Sequence, residues 1–443
     1  MTIAVLGAAP AVQAASDEAP APRVLTLRDA VREGLKRNED IATARERVIR
    51  AKIATRKAIA ALVPTLTAGG TFTHYNKEIA FTSGGAPIVI QKQDQFGATG
   101  TFAMPLFDAR TIPYIQKSLR VEEGAAEVAS FTGAELAIAI ARAYFAVLAA
   151  EERLRVAEQA VLTAKEYVTG IEHQVKAGHT IPLALRRVKI DLVRAERDRE
   201  LADLAVKSAV EALSFLSGVT GPFRVETPPL PRVPAASSDA LIATALARRT
   251  DVKATRLEIA AARNAIQEIR FGLFPSLSLV GNMKLTESTG FSGDIGSWNL
   301  TVNLAWTIFD GGQRYLDVKL RQSELREAEL RERRLRRDIG REVRVAQNDL
   351  KAAEAALKAS RDEKALAEEN DAAVRARISA GLATAVEIVD ANAALFNAGV
   401  AVVREELNRD LARVNLLRAI GADLVETDTE AEPPAKAKEP LKP

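Results

Sequence analysis

Within Ser297 to Gly312, "SWNLTVNLAWTIFDGG", the chain alternates from Trp298 to Ile308: Trp298, Leu300, Val302, Leu304, Trp306 and Ile308 share one parity, and Asn299, Thr301, Asn303, Ala305 and Thr307 the other. A period of two is the signature of a strand with one oily face. Three further stretches repeat it. Leu66, Ala68, Gly70 and Phe72 alternate with Thr67, Gly69, Thr71 and Thr73; Phe96, Ala98, Gly100, Phe102, Met104 and Leu106 alternate with Gly97, Thr99 and Thr101. Leu277, Leu279, Gly281, Met283 and Leu285 alternate with Ser276, Ser278, Val280, Asn282 and Lys284. Each stretch is near the ~10 residues that a tilted membrane strand requires, and small polar residues line the second face.

The rest of the chain has a helical period. No proline occurs between Pro113 and Pro182 or between Pro275 and Pro433, and these windows are rich in good helix formers. A helix over 314–379 would be on the order of 100 Å long. Within it Ile339, Val343, Ala346, Leu350, Ala353 and Leu357 recur at alternating steps of four and three, a heptad seam whose alanines admit close neighbours.

The order of elements occurs twice. Leu35 aligns with Leu246, Asp40 with Asp251 and Pro64 with Pro275; then Phe107 aligns with Phe309 and Asp108 with Asp310; then Gly178 aligns with Gly381 and Gly218 with Gly421. Matches in the same order, at offsets of 211, then 202, then 203 residues, mark a tandem duplication. The first repeat, 24–218, reads as helix 27–62, strands 65–75 and 95–107, long helix 112–176 and helix 183–217. The second, 238–424, reads as helix 238–273, strands 276–287 and 297–309, long helix 314–379 and helix 385–420. A Pro-rich linker, 219–237, joins them, and 425–443 has the composition of a disordered tail. Four strands in two hairpins cannot close a barrel, and open edges are not tolerated in lipid, so closure calls for several chains. Two copies give eight strands, whose interior side chains largely fill; three give twelve and room for water.

Composition narrows the chemistry. Lys plus Arg number 61 against 58 Asp plus Glu, a net charge of +3 that gives no case for nucleic acid. The absence of cysteine removes disulfides, thiolate ligands and an acyl-anchor site. His74, His173 and His179 do not form a zinc spacing, and there is neither a nucleophile–base arrangement nor a phosphate-binding glycine loop. No cofactor, metal or catalytic residue is expected. Residues 1–15 have the short apolar stretch and small residues of a secretory signal or its remnant. The longest apolar run, "LAIAIARAYFAVLAA", is too short to span a bilayer as a helix and contains Arg142, so insertion by strands is expected.

Taken together, the duplicated order, the strand entries "VPTLT" and "FPSLS", the exits "LFDAR" and "IFDGG", and the turn "SAGLATAVEIVDANAALFNA" resemble the TolC-type outer-membrane efflux proteins from Leu27 to about Leu424. The chain departs from the family at Asn38-Glu39 and Arg249-Thr250, where Asn-Pro is common. The resemblance implies a mainly α fold with a transmembrane β-barrel: a homotrimer with one twelve-stranded barrel, four strands per chain, continued by a long α-helical barrel. It implies a passive exit channel in the outer membrane, reaching into the periplasm, with a periplasmic adaptor protein, an inner-membrane pump and outer-membrane lipid as partners. Tripartite efflux and type I secretion are both compatible with such a duct. A non-pore coiled-coil structural protein of the periplasm is the alternative, and it leaves the four matched strands unexplained.

By the same resemblance Glu387 and Asp390, three apart and so on one helical face, would form carboxylate rings at the periplasmic aperture. The family's arginine after the turn glycine is replaced by Ala383, and Arg186 or Arg187 could supply a link from the first repeat to Glu387 or Asp390. Gly178, Thr180, Gly381 and Thr384 would stand at the hairpin tips that contact the adaptor, and Trp298 and Trp306 in the aromatic girdle. The tryptophans are separated by about 27 Å along a strand, or about 19 Å of height at a ~45° tilt.

Overall fold

The computed structural model describes residues 23–82, 85, 88–229, 233–234, 236–287, 294–380 and 382–422. The signal-like segment and the tail expected at 425–443 lie outside the described residues, as does Gly381. The first repeat contains β1 (Arg23–Leu25), α1 (Leu27–Arg37), α2 (Glu39–Ala60), β2 (Thr65–His74), β3 (Ile79–Phe81), β4 (Ile88–Gln91), β5 (Asp94–Phe107), α3 (Thr111–Lys176) and α4 (Pro182–Ser217). After β6 (Phe223–Val225) the second repeat contains α5 (Ser238–Arg248), α6 (Thr250–Phe271), β7 (Ser276–Thr286), β8 (Gly296–Ala305), α7 (Gln313–Ser379) and α8 (Ala385–Ala419).

β2, β5, β7 and β8 form one antiparallel sheet in that order. The two hairpins are therefore joined edge to edge through β5 and β7, with β2 and β8 left as the free edges. Register puts Leu66, Phe102, Gly281 and Leu300 in one row on one face. Thr67, Thr101, Asn282 and Asn299 form the next row on the other face. Every residue of β2 and β8 is exposed, including the apolar ones, so in a single chain the oily face has no protein cover.

Below the sheet the helices stand side by side. α3 packs on α2 and α4 along one flank and on α6 and α8 along the other, and α7 packs on α6 and α8. This leaves the α2/α4 column and α7 as the outer columns of the protomer. Toward α3, α4 buries Val188, Ala195 and Ala202 at steps of seven. The main core lies where the repeats' helix ends converge, around Leu27, Ile140, Tyr144, Leu213, Ile339 and Leu416. Both α3 and α8 carry an 18-residue stretch apolar enough to cross a bilayer by length and composition. Much of that apolar character serves this core, through Leu136 to Val147 of α3 and Ala412 to Ala419 of α8.

Several expectations are corrected. The helices expected at 27–62 and 238–273 are each broken, at Asn38 and Arg249, both extended in backbone (ψ 135° and 129°). At Asn38 the side-chain oxygen accepts from Asp40 N–H at 2.9 Å, so one residue ends α1 and caps α2. Arg249 has no capping side chain; its buried guanidinium is fixed instead by Asp251 (2.7 Å) and Glu342 (2.7 Å). The 219–237 segment is not a plain linker, because Phe223–Val225 pairs in parallel with Arg23–Leu25. Val219 and Phe223 are buried there, and Glu226 N–H donates to the Tyr144 hydroxyl at 3.0 Å. The strand expected at 297–309 stops at Ala305, opposite Ser276, because the next residue on the partner side is Pro275, which has no N–H to continue the ladder. The short β3–β4 hairpin was not legible in the alternation.

Candidate functional site

The two long helices, α3 and α7, end at turns on the side of the molecule away from the sheet. At the first turn Gly178 has φ +74°, a left-handed conformation that reverses the chain without Cβ strain, and Thr180 is half-buried beside it. At the second, Thr384 caps α8: its hydroxyl accepts from Glu387 N–H at 3.3 Å, and Thr384 N–H donates to Glu387 Oε2 at 2.8 Å.

Glu387 is thus committed to its own hairpin. Its other oxygen, Oε1, accepts from Arg377 Nη1 at 3.0 Å, while Arg377 Nη2 donates to Leu382 O at 3.2 Å. Chiefly the hydrogen bond from Thr384 N–H, helped by the Thr384 hydroxyl and the Arg377 charge against some desolvation, holds the Glu387 carboxyl below its ordinary value. The link expected from Arg187 to Glu387 is not formed within the protomer. Arg377, in the last turn of α7 and just across the Ala380 turn, reaches Glu387 directly, whereas Arg186 and Arg187 lie exposed in the first turns of α4. Asp390 is exposed one turn beyond Glu387 and, among the described residues, has no ion-pair partner.

Sequence reasoning missed the cluster that joins the two repeats above these turns. Tyr167 of α3 and Asp371 of α7 are both buried, and the phenol donates to the carboxylate. Arg375 Nε donates to the same carboxylate at 2.7 Å, its Nη1 to Glu166 at 2.6 Å and its Nη2 to the Thr163 hydroxyl at 3.2 Å. Its guanidinium also lies 5.5 Å from the centre of the Tyr167 ring. Burial, then the hydrogen bond to Asp371, pushes the Tyr167 hydroxyl well above its ordinary range, so it stays a neutral donor. Gln174 adds a second tie, donating to Ile378 O at 2.9 Å. The available signal was Asp371 itself: continuing the 339–357 heptad by steps of three and four brings a carboxylate to a seam position.

At the sheet, Trp298 and Trp306 are both largely exposed. Trp306 falls just past the end of β8, where its indole N–H donates to Leu273 O at 3.0 Å and ties the strand exit to the end of α6. Asp310, after it, accepts from Arg314 Nε at 2.5 Å, and Arg314 also donates to Gly272 O at 2.7 Å, which fixes the start of α7 against the same junction. The Asp108–Arg110 pair (2.8 Å) occupies the equivalent exit of the first repeat.

No group of three or more His, Cys, Asp or Glu among the described residues is placed to hold a metal ion. The built features are a half-apolar sheet, a four-column helical wall and a charged, hydrogen-bonded tip.

Known proteins share this design. The chain is 25% identical over 380 residues to the outer membrane protein OprJ of Pseudomonas aeruginosa, covering 81% of this chain and 76% of OprJ. It is 24% identical over 308 residues to the probable outer membrane lipoprotein SilC of Salmonella typhimurium, a match spanning 65% of this chain and 63% of SilC. The solved structure of CusC superposes with a TM-score of 0.76 at 20% identity, over 90% of this chain and 92% of that one. The CmeC outer membrane channel of Campylobacter jejuni gives 0.75 at 17% identity, over 89% and 85%. These neighbours combine a helical barrel with a β-barrel, the fold class read from the alternation, repeat and resemblance. The family model for outer membrane efflux proteins matches residues 30–219 and 241–422, both repeats, and this chain therefore belongs to the outer membrane efflux protein family and is a protein of the outer membrane.

Proposed function

We propose that three copies of this chain close into one duct, a twelve-stranded barrel through the outer membrane continued by a helical tunnel across the periplasm. The observation that carries this reading is that the protomer is open at matching flanks on both levels. β2 and β8 have free edges, and α4 and α7 are outer columns. A lipid-facing sheet cannot keep open edges. On α4, the residues turned from α3 include Ile190, Val193, Leu201 and Leu204, each more than half exposed. On α7, Ala359 and Ala355 are exposed 20 and 24 residues from its tip end, close to the 19 and 22 residues that separate Leu201 and Leu204 from the tip end of α4, and with Ala352 they form a strip of small side chains on which that part of the ridge can seat. A second copy supplies the ridge, and the third closes the ring.

In this reading the chain is a passive exit channel of a tripartite efflux or type I secretion system and does no catalysis. The Gly178 and Thr384 turns meet a periplasmic adaptor, and through it an inner-membrane pump that supplies the free energy. Asp390 of three copies lines the narrow end. The Tyr167–Asp371–Arg375 cluster holds the two hairpins of one protomer together near the tips, so the same cluster keeps that end narrow until a partner separates them. Detergent-extracted protein should open ion-conducting pores in a planar bilayer; protein that elutes from membranes with salt and forms no pores contradicts the reading.

A further inference from the structure

The four-stranded sheet has three ionisable residues, all described: His74, Asp94 and Lys284. His74 and Asp94 face each other at the far end of β2 and β5, with Nδ1 and Oδ1 2.6 Å apart, on the parity of Leu66 and Phe72. Lys284 is the exception on the other parity. It shares the face of Thr101, Asn282 and Asn299, the side that meets water when the oily face meets lipid.

Its row, read across the sheet, is Gly69, Thr99, Lys284 and Ser297. All four are exposed and the three neighbours are short, so none can cover the ammonium. Among the described residues Lys284 has no carboxylate partner. It stands eight positions along β7 from Ser276, the end nearest the helices, which corresponds to about 27 Å of strand and about 19 Å of height at a ~45° tilt. That is one residue from the level of Trp298, whose register partner is Met283.

We infer that Lys284 of three copies forms a cationic ring inside the barrel near its outer mouth, a site that attracts anionic solutes and sets the ion preference of the exit. The inference rests on the three-copy duct proposed above. A ring of lysines in a pore raises the local concentration of anions and lowers that of cations. The rest of the barrel face, mostly Thr, Ser, Asn and Gly with Gln95, Ala103, Pro105, Val280 and Ala305, is uncharged, so nothing within the sheet offsets it. The periplasmic end, with Asp390, carries the opposite sign. Anionic small solutes that pass the tip therefore meet a favourable field at the exit.

The test is the reversal potential of single channels formed by the full-length protein in a planar bilayer under a KCl gradient, with dilute salt on one side so that screening is weak. The ring predicts that Lys284→Gln lowers the chloride-over-potassium permeability ratio by about twofold or more, and that Lys284→Glu carries it further toward cations. Thr99→Lys added to Lys284→Gln returns the charge to the same row, one strand away, and should restore the ratio. Channels of normal conductance whose reversal potential is the same in all four proteins overturn the ring while leaving the duct standing. A wild-type protein that inserts and never conducts overturns both.

Discussion

The Tyr167 phenol of α3 donates to the Asp371 carboxylate of α7, with both side chains buried, and so links the two repeats of one chain near the tips of their hairpins. The helices α3 and α7 elsewhere reach each other through α6 and α8. A buried carboxylate with two partners is expensive to leave with one.

Tyr167→Phe removes the phenol donor and leaves Asp371 to Arg375 alone. It should lower stability by about 1–3 kcal/mol, seen as a reduced thermal midpoint of the detergent-extracted protein. It should also increase single-channel conductance and the leakage of large antibiotics into cells carrying the variant. An unchanged conductance in a correctly assembled Tyr167→Phe channel contradicts the assigned role of the cluster.

Acid should loosen the second hairpin. Glu387 is held below its ordinary carboxyl value in the folded chain, so its contribution is fully present above about pH 4.5. It is lost as pH falls through the lowered value, because protonation removes the bond to Arg377 and weakens the bond from Thr384. Conductance measured against pH should rise on the acid side of that range, and Glu387→Gln should show the raised conductance already at pH 7.

Arg249→Ala leaves Asp251 and Glu342 without their buried partner and should cost about 3 kcal/mol or more. Asn38→Ala, at the equivalent break in the first repeat, loses one capping bond and should cost about 1 kcal/mol. Thermal unfolding of the two variants side by side checks the order; equal losses contradict it.

Two adjacent residues of β8 distinguish the faces of the barrel. Val302→Arg puts a charge on the lipid side and should cost about 2–4 kcal/mol if near the bilayer midplane, appearing as reduced insertion. Thr301→Arg, on the water side, should insert normally and alter ion selectivity. Heat-modifiable gel mobility and bilayer recordings read the two outcomes.

Much of this was legible because long elements repeat their pattern. Strict alternation through Thr301 and Val302 assigned the faces of the sheet, and the heptad from Ile339 to Leu357 assigned the α7 seam. What could not be read depends on contacts between distant segments. Arg249 breaks a helix through an ion pair to Glu342, 93 residues away, where no local capping residue stands. Tyr167 and Asp371 are 204 residues apart, and Phe223 pairs with Arg23 across 200. The Arg377–Glu387 bond is local, but pattern alone does not say whether Glu387 faces Arg377, ten residues before it, or Arg187 of the first repeat.

The central claim, that three copies close edge to edge, is tested most directly by cross-linking in the outer membrane. The chain contains no cysteine, so Leu204→Cys on α4 and Ala355→Cys on α7 create its only thiols. These positions lie 22 residues from the start of α4 and 24 from the end of α7, and so at about the same height above the tips. The closed ring predicts that a short bis-maleimide yields covalent dimers and trimers, with the ladder ending at three times 47.7 kDa less any cleaved leader, and only when both cysteines are present. Monomers alone, or a ladder that runs on past three, contradicts it.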